Sequence, residues 1–201
     1  MHNTLRRTPL ALLVAATLIS ACSKGDKTAD SVKATDSATA ATAAPAPAAP
    51  AMTDANIFAV LDAANVADSS DGSVAATKGT SAEVKKFGTQ MVKDHHAMRA
   101  DGLALAKKLN VTPQPPPDDN SAAAAAAWHD TLNATPKGAA WDKAYIDHEV
   151  TAHETVLQKA QSALSATQNP DVKALIQKAA PKVQGHLDLA KQIQTKLGGA
   201  K

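Results

Sequence analysis

The chain has 201 residues, 44% of them hydrophobic but only 2% aromatic, enough for one domain once its tails are set aside. That excludes a large multidomain enzyme. Its 11 Pro and 9 Gly are clustered, and aromatic or β-branched runs are almost absent, which argues against an all-β or doubly wound sheet and for an Ala-rich helical protein. The formal charge of +2 comes from Arg6 and Arg7: without them 19 Lys and Arg face 19 Asp and Glu. With one other Arg (Arg99), no basic cluster and five aromatic residues, nothing suggests nucleic-acid binding.

Arg6 and Arg7 precede an apolar run from Leu10 to Ile19 and then Ser20, Ala21 and Cys22, the order of an export signal over 1–21. Ten apolar residues span only ~15 Å as a helix, about half a bilayer core, so the run does not cross a membrane. Ile19-Ser20-Ala21-Cys22 resembles the bacterial lipobox. The resemblance implies cleavage before Cys22, lipidation of its thiol and acylation of the new amino group. Ser23 rather than Asp after the Cys implies sorting to the outer membrane. Two or three acyl chains anchor a protein durably, and a lone thiol needs no disulfide partner. The alternative is a plain secretory signal with an unrelated Cys.

Residues 22–52 are rich in Ala, Thr and Ser and end in Pro45, Pro47 and Pro50. With little to bury, they read as a disordered tether of ~30 Å mean reach. The sequons at Asn110 and Asn133 are read as chance matches. The folded domain is expected over 53–201.

Apolar residues then recur at spacings of four and three. Helix one is expected from Thr53 to Lys78, with Ile57, Leu61, Ala64, Asp68, Asp71 and Ala75 on its inner stripe. Ser81 opens helix two, where Val84, Met91, Met98 and Leu105 repeat every seven residues and the Met side chains read as core filler. The prolines of 113–117 force a long break, and Ser121–Asn133 reads as a short connecting helix. Helix three, Lys137–Ala166, carries Ile146, Val150, His153, Leu157, Ala160 and Leu164; helix four, Pro170–Leu197, carries Val172, Ile176, Ala179, Val183, His186, Ala190 and Ile193. Pro181 is expected to kink helix four or divide it. An all-α fold follows: two hairpins and a long crossover containing a short helix, the outline of a ferritin-like four-helix bundle.

Each inner stripe is interrupted by ionisable groups: Asp68 and Asp71, then His95 beside Asp94, then His153 with Glu149 one turn earlier, then His186. Counted from the hairpin ends at ~1.5 Å per residue, these lie ~17–27 Å along their helices, in one middle layer.

Met91-Val-Lys-Asp-His95, Trp141-Asp-Lys-Ala-Tyr-Ile-Asp-His-Glu-Val-Thr-Ala-His153 and Val183-Gln-Gly-His186 resemble the bacterial family known as domain of unknown function 4142, over roughly Thr53 to Leu197. The resemblance implies an exported, often lipidated protein of ferritin-like fold labelled as an outer membrane protein, and implies no biochemical activity. Asp94, His95, Asp142, Tyr145, His153 and His186 match its motifs. His148 stands where relatives tend to have Asn, about 140° around the helix from His153 and outside the layer.

In one reading Asp68, His95, Glu149, His153 and His186 ligate one divalent transition metal (zinc, copper, manganese or iron), with Asp94 or Tyr145 supporting the ligands from behind. In a second reading the layer is a satisfied polar network that fixes helix register in a structural or protein-interaction module of the envelope. A third is a pH or stress sensor. A di-iron oxidase needs a Glu-x-x-His pair on each of two helices. The chain has neither, and no nucleophile triad, phosphate loop or Cys-based motif is present, so a non-enzymatic protein is expected. Trp141 and Tyr145 are expected to cover the mouth of the bundle against the crossover, and His96, His129 and His148 to lie on the surface.

Overall fold

The structure, a computed structural model, describes residues 52–199. The leader over 1–21, Cys22 and the tether as far as residue 51 lie outside the described residues. Among the described residues there are five α-helices and no strand: α1 Asp54–Lys78, α2 Ala82–Lys108, α3 Ser121–Ala134, α4 Ala139–Ala166 and α5 Pro170–Gly199. None is long and apolar enough to cross a membrane.

The helices begin and end where local chemistry dictates. Thr53 caps α1 through a reciprocal box with Asn56, and the Ser81 hydroxyl accepts from the amides of Glu83 and Val84 at the start of α2, meeting donors that a helix leaves free. Beyond α2, Asn110 takes the left-handed conformation (φ 55°), and the Val111 amide turns back to the Ala106 carbonyl, closing the helix as a Schellman-type turn does. Helix α5 runs unbroken through Pro181, so the division into two shorter helices is not seen. The ring removes the amide that would have reached the Gln177 carbonyl and crowds that carbonyl.

Helices α1 and α2 pack along each other, as do α4 and α5; α2 also touches α5, α1 touches α4, and α3 lies on α1. Gly72 and Gly88 make the first crossing close. A Cβ built on Gly88 would stand 2.6 Å from the Gly72 carbonyl oxygen and 2.7 Å from the Ala76 amide nitrogen, so neither position has room for a side chain.

The apolar core divides in two. One cluster gathers Val84, Phe87, Met91, Trp141, Tyr145, Ile146 and Ile193 with their neighbours, and the other Ile57, Phe58, Ala106, Ala160, Val172 and Ile176. Apart from Asp142 at the start of α4, the buried polar residues of the long helices fall between the two clusters or at their border. Their order along the chain also makes α1 run with α5 and α2 with α4, so each hairpin neighbour is antiparallel. The crossover must therefore return along the molecule between α2 and α4.

Trp141 and Tyr145, near the start of α4, pack against the crossover as interior residues. They are 1% and 0% exposed and stacked with ring centroids 5.6 Å apart inside the first cluster. The indole donates to the Leu132 carbonyl at 2.9 Å, which fastens α3. Removing two large aromatic surfaces from water holds them there.

Candidate metal centre

The middle layer assembles as the helix counting expects. His95 comes from α2, His153 from α4 and His186 from α5, each 1–2% exposed. Their ring centroids form a triangle with sides of 5.2, 5.5 and 5.7 Å. Helix α1 adds Asp68, and α4 adds Glu149, which is fully buried.

Hydrogen bonds fix which nitrogen of each ring is protonated. His153 Nδ1 lies 2.9 Å from the Glu149 carbonyl oxygen, which only accepts, so Nδ1 carries the proton and Nε2 the lone pair. His95 Nδ1 lies 3.0 Å from Asn65 Oδ1. The Asn65 Nδ2 donates to the Leu61 carbonyl at 2.8 Å, which settles the amide orientation and makes His95 Nδ1 the donor. His186 Nε2 lies 3.0 Å from Asp94 Oδ2, leaving its Nδ1 with the lone pair. Asp94 thus supports a ring across the bundle, on α5, rather than its neighbour His95.

Among the described residues the buried side-chain atoms without a hydrogen-bond partner are concentrated here: His95 Nε2, His153 Nε2, His186 Nδ1, both Glu149 carboxyl oxygens and the Tyr145 hydroxyl, with Trp128 Nε1 on α3. The three imidazole nitrogens are those left with lone pairs. His95, His153 and His186 each offer a ligand atom within 4.8 Å of the others, and Asp68, Glu149 and His153 do the same. The five donors therefore form two triads that meet at His153.

Burial sets the electrostatics. It pushes the His95 imidazole down to about 3, helped by His153 and His186, and His153 down to about 4; burial also lowers His186. All three are neutral near pH 7, the form that binds metal. Burial, with Asp71 nearby, raises Asp68 to about 7, and burial with Asp68 and Asp71 raises Glu149 well above its usual range. Burial, reinforced by Glu149, raises Tyr145 too. Partial burial pushes Asp94 upward, but the His186 hydrogen bond and the Lys182 charge outweigh it and leave a ready carboxylate.

Two cavities reach the layer. One of about 70 Å³ opens between α1, α2 and α5 past Met98 and is floored by Asp68 and His95. The other, about 300 Å³, lies between α1, α3 and α4, lined by Ala64, Ala67, Ala124 and Thr155, and also ends on Asp68. Met91 is fully buried core, whereas Met98 is only half-buried.

Two imidazoles expected on the surface have specific partners. His129 is half-buried and holds Asp71 at 2.8 Å; its hydrogen bond offsets part of the rise that burial imposes on that carboxyl. His148 is half-buried under Trp128, the rings stacked with centroids 4.1 Å apart. Both contacts are to or from α3, whose docking the helical pattern of α4 does not show. His96 is exposed as expected. Asn65 passed unnoticed in the sequence; its one signal is a polar residue three positions before Asp68 on the same face.

Asp142 has a structural task. Its carboxylate accepts from the Thr80 amide and hydroxyl and from the Ser81 amide, at 2.9, 2.6 and 2.7 Å, tying the α1–α2 turn to the start of α4.

The family model described as a domain of unknown function, DUF4142, matches residues 38–193, over three quarters of the chain; it starts before the expected Thr53 and stops short of Leu197. Compared with curated proteins and with solved structures, the chain shows no significant match. With its Asp-His, Asp-x-x-Tyr and Gly-His motifs now placed on α2, α4 and α5, the chain belongs to the DUF4142 family.

Proposed function

We propose that this chain is a non-enzymatic lipoprotein of the bacterial envelope whose ferritin-like four-helix bundle holds one divalent transition metal between His95, His153 and His186. One observation carries the reading: three buried imidazoles, each held by a hydrogen bond at one nitrogen, direct three unpartnered lone pairs into the same space. Lone pairs repel one another, and a cation is the group that satisfies all three. The supports behind them, Asn65, the Glu149 carbonyl and Asp94, are of the kind that fixes metal-binding imidazoles. Three nitrogen donors favour copper, zinc and iron over manganese.

The antiparallel long helices and the returning crossover support the ferritin-like reading. Glu149 and His153 stand four apart, which does not build a bridged di-iron pair and supports a binding role. The lipid anchor at Cys22 and the outer-membrane address rest on the lipobox resemblance. Labelled palmitate should enter the parent protein and not Cys22→Ser; a parent without label is simply secreted.

The deciding experiment is elemental analysis of the untagged protein with thermal melts in added zinc, copper, iron and manganese. The expected result is one equivalent of metal and a melting point rising with the logarithm of one ion's concentration, both lost in His153→Ala and His186→Ala. No metal and no shift leaves the layer as a structural polar network, with the bundle serving protein contacts in the envelope.

A further inference from the structure

The groove between α1, α3 and α4 is a slot the width of one hydrocarbon chain. It runs from Ile57 to Asp68 along α1, ~16 Å at the helical rise. Its volume of about 300 Å³ compares with the about 150 Å³ that takes a benzene, and leaves room for about ten carbons. Ile57, Val60 and Leu61 wall one side, and Ala152, Val156 and Ala160 the other. Thr151 and Thr155 on α4 and Ala124 on α3 are exposed at its edge, so the slot is open along its flank.

One end of the slot is made of acceptors. Asp68 is 8% exposed and has no hydrogen bond among the described residues: its approach to His95 Nδ1, at 3.4 Å, meets a proton already given to Asn65. Asp68 lies level with Glu149 and His153, which puts the lining residues His148 and Thr151 at the same end. The Thr151 hydroxyl donates to the Asp147 carbonyl and the Thr155 hydroxyl to the Thr151 carbonyl, so both oxygens are left to accept. Neutral His148, its pKa lowered by burial, adds one lone pair. Lys159, the lining cation, stands at the other end near Ala160 and Ala163, which pack with Ile57. A buried carboxyl beside accepting hydroxyls calls for a head group that donates several hydrogen bonds and carries positive charge.

We propose that this groove binds a primary alkyl amine: one unbranched chain of about ten carbons, its ammonium on Asp68 with the Thr151 hydroxyl accepting beside it, and its tail lying toward Ile57. The site stands whether or not the three imidazoles hold a metal. The reverse placement, a fatty acid with its carboxylate on Lys159, presses a methyl end against Asp68 and dries that carboxyl without giving it a partner.

The test is calorimetric titration of the full chain carrying Cys22→Ser, so that no acyl chain of its own competes. The probes are hexylamine, octylamine, decylamine, dodecylamine, decanol and decanoate, each below its micelle-forming concentration, at a pH of about 8 where primary amines stay charged. One decylamine should bind per chain. Affinity should rise about two- to fourfold per added methylene up to about ten carbons and then level off. Decanol should bind about tenfold more weakly or worse, and decanoate more weakly still. Asp68→Asn should bring decylamine down to the affinity of decanol, and Ala64→Leu, which fills the slot, should weaken every probe about tenfold. Decanol or decanoate as tight as decylamine, indifference to chain length, uptake without saturation, or a preference for the amine that survives Asp68→Asn would each overturn the site. So would binding untouched by Ala64→Leu. The ranking of the three head groups before either substitution decides even where a variant does not fold.

Discussion

Asn65 and His95 face each other across the α1–α2 seam at 3.0 Å, and the Asn65 amide is prevented from turning over by its own bond to the Leu61 carbonyl. One asparagine on α1 therefore dictates which nitrogen of an imidazole on α2 is free. Asn65→Leu should free the ring to turn or change tautomer. Metal affinity should fall about 10–100-fold, as when other outer partners of ligating imidazoles are removed, and stability by about 1–3 kcal/mol. Calorimetric titration with zinc, paired with urea melts, separates the two effects. Unchanged affinity would show that His95 is not a ligand.

The pH dependence of the metal-free protein follows from two opposed pairs. His95 and His153 fall from 6.5 to about 3 and about 4. Through most of the interval below 6.5 the unfolded chain holds protons that the native rings refuse, so their contribution to stability grows as pH rises. Asp68 rises from 3.8 to about 7, and Glu149 rises well above 4.5; here the native state holds the extra protons, and the contribution shrinks as pH rises. At about 1.4 kcal/mol per pH unit for each group, the pairs offset one another between roughly pH 4.5 and 6.5. Above that the imidazole contribution is complete and only the carboxyls still titrate. Urea melts should show a plateau and then a decline from about pH 6.5 toward 7, part of it absent in Glu149→Gln. A parent whose stability does not fall above pH 6.5 has both carboxyls already ionised in the native state.

The Gly72–Gly88 crossing gives a packing prediction with its own control. Gly88→Ala places a methyl against the Gly72 carbonyl and the Ala75 side chain and should cost about 1–3 kcal/mol, with the melting point down by roughly 5–10 °C. Gly102→Ala, on the same helix with nothing within 4 Å of its new Cβ, should stabilise by about 0.5–1 kcal/mol. Equal effects at the two positions would mean that the helices do not cross this closely.

Asp142 matches a family motif yet sits outside the histidine and carboxyl layer, so loss of its three acceptor bonds should register in stability alone. Asp142→Ala is expected to cost about 2–3 kcal/mol without altering zinc affinity. A weakened zinc Kd in a variant that melts like the parent would place the residue in the metal machinery instead.

Helix limits were legible to within about two residues because apolar spacing, Ser81, Pro170 and the prolines of 113–117 all act locally. The shared height of Asp68, His95, Glu149, His153 and His186 was legible too, since rise per residue is nearly constant. Azimuth between helices is not written in one helix's own period. The division into two triads, the turn of Asn65 toward His95 and the reach of Asp94 to α5 therefore emerged only with the packing. The same holds for α3: an alanine run shows no inner face, so nothing foretold that His129 would meet Asp71 or that Trp128 would cover His148.

The two hairpins touch each other along thinner seams than those within each hairpin, and at mid-height the filling is imidazole and carboxyl rather than hydrocarbon. His95 belongs to the first hairpin and His153 and His186 to the second, so an ion in their midst is a rivet between the halves. On the proposed metal reading, a loaded protein should keep its halves closed under pulling or heat, and an empty one should part first along this seam. Metal supply would then set the mechanical stiffness of the whole domain, with no change in its helices.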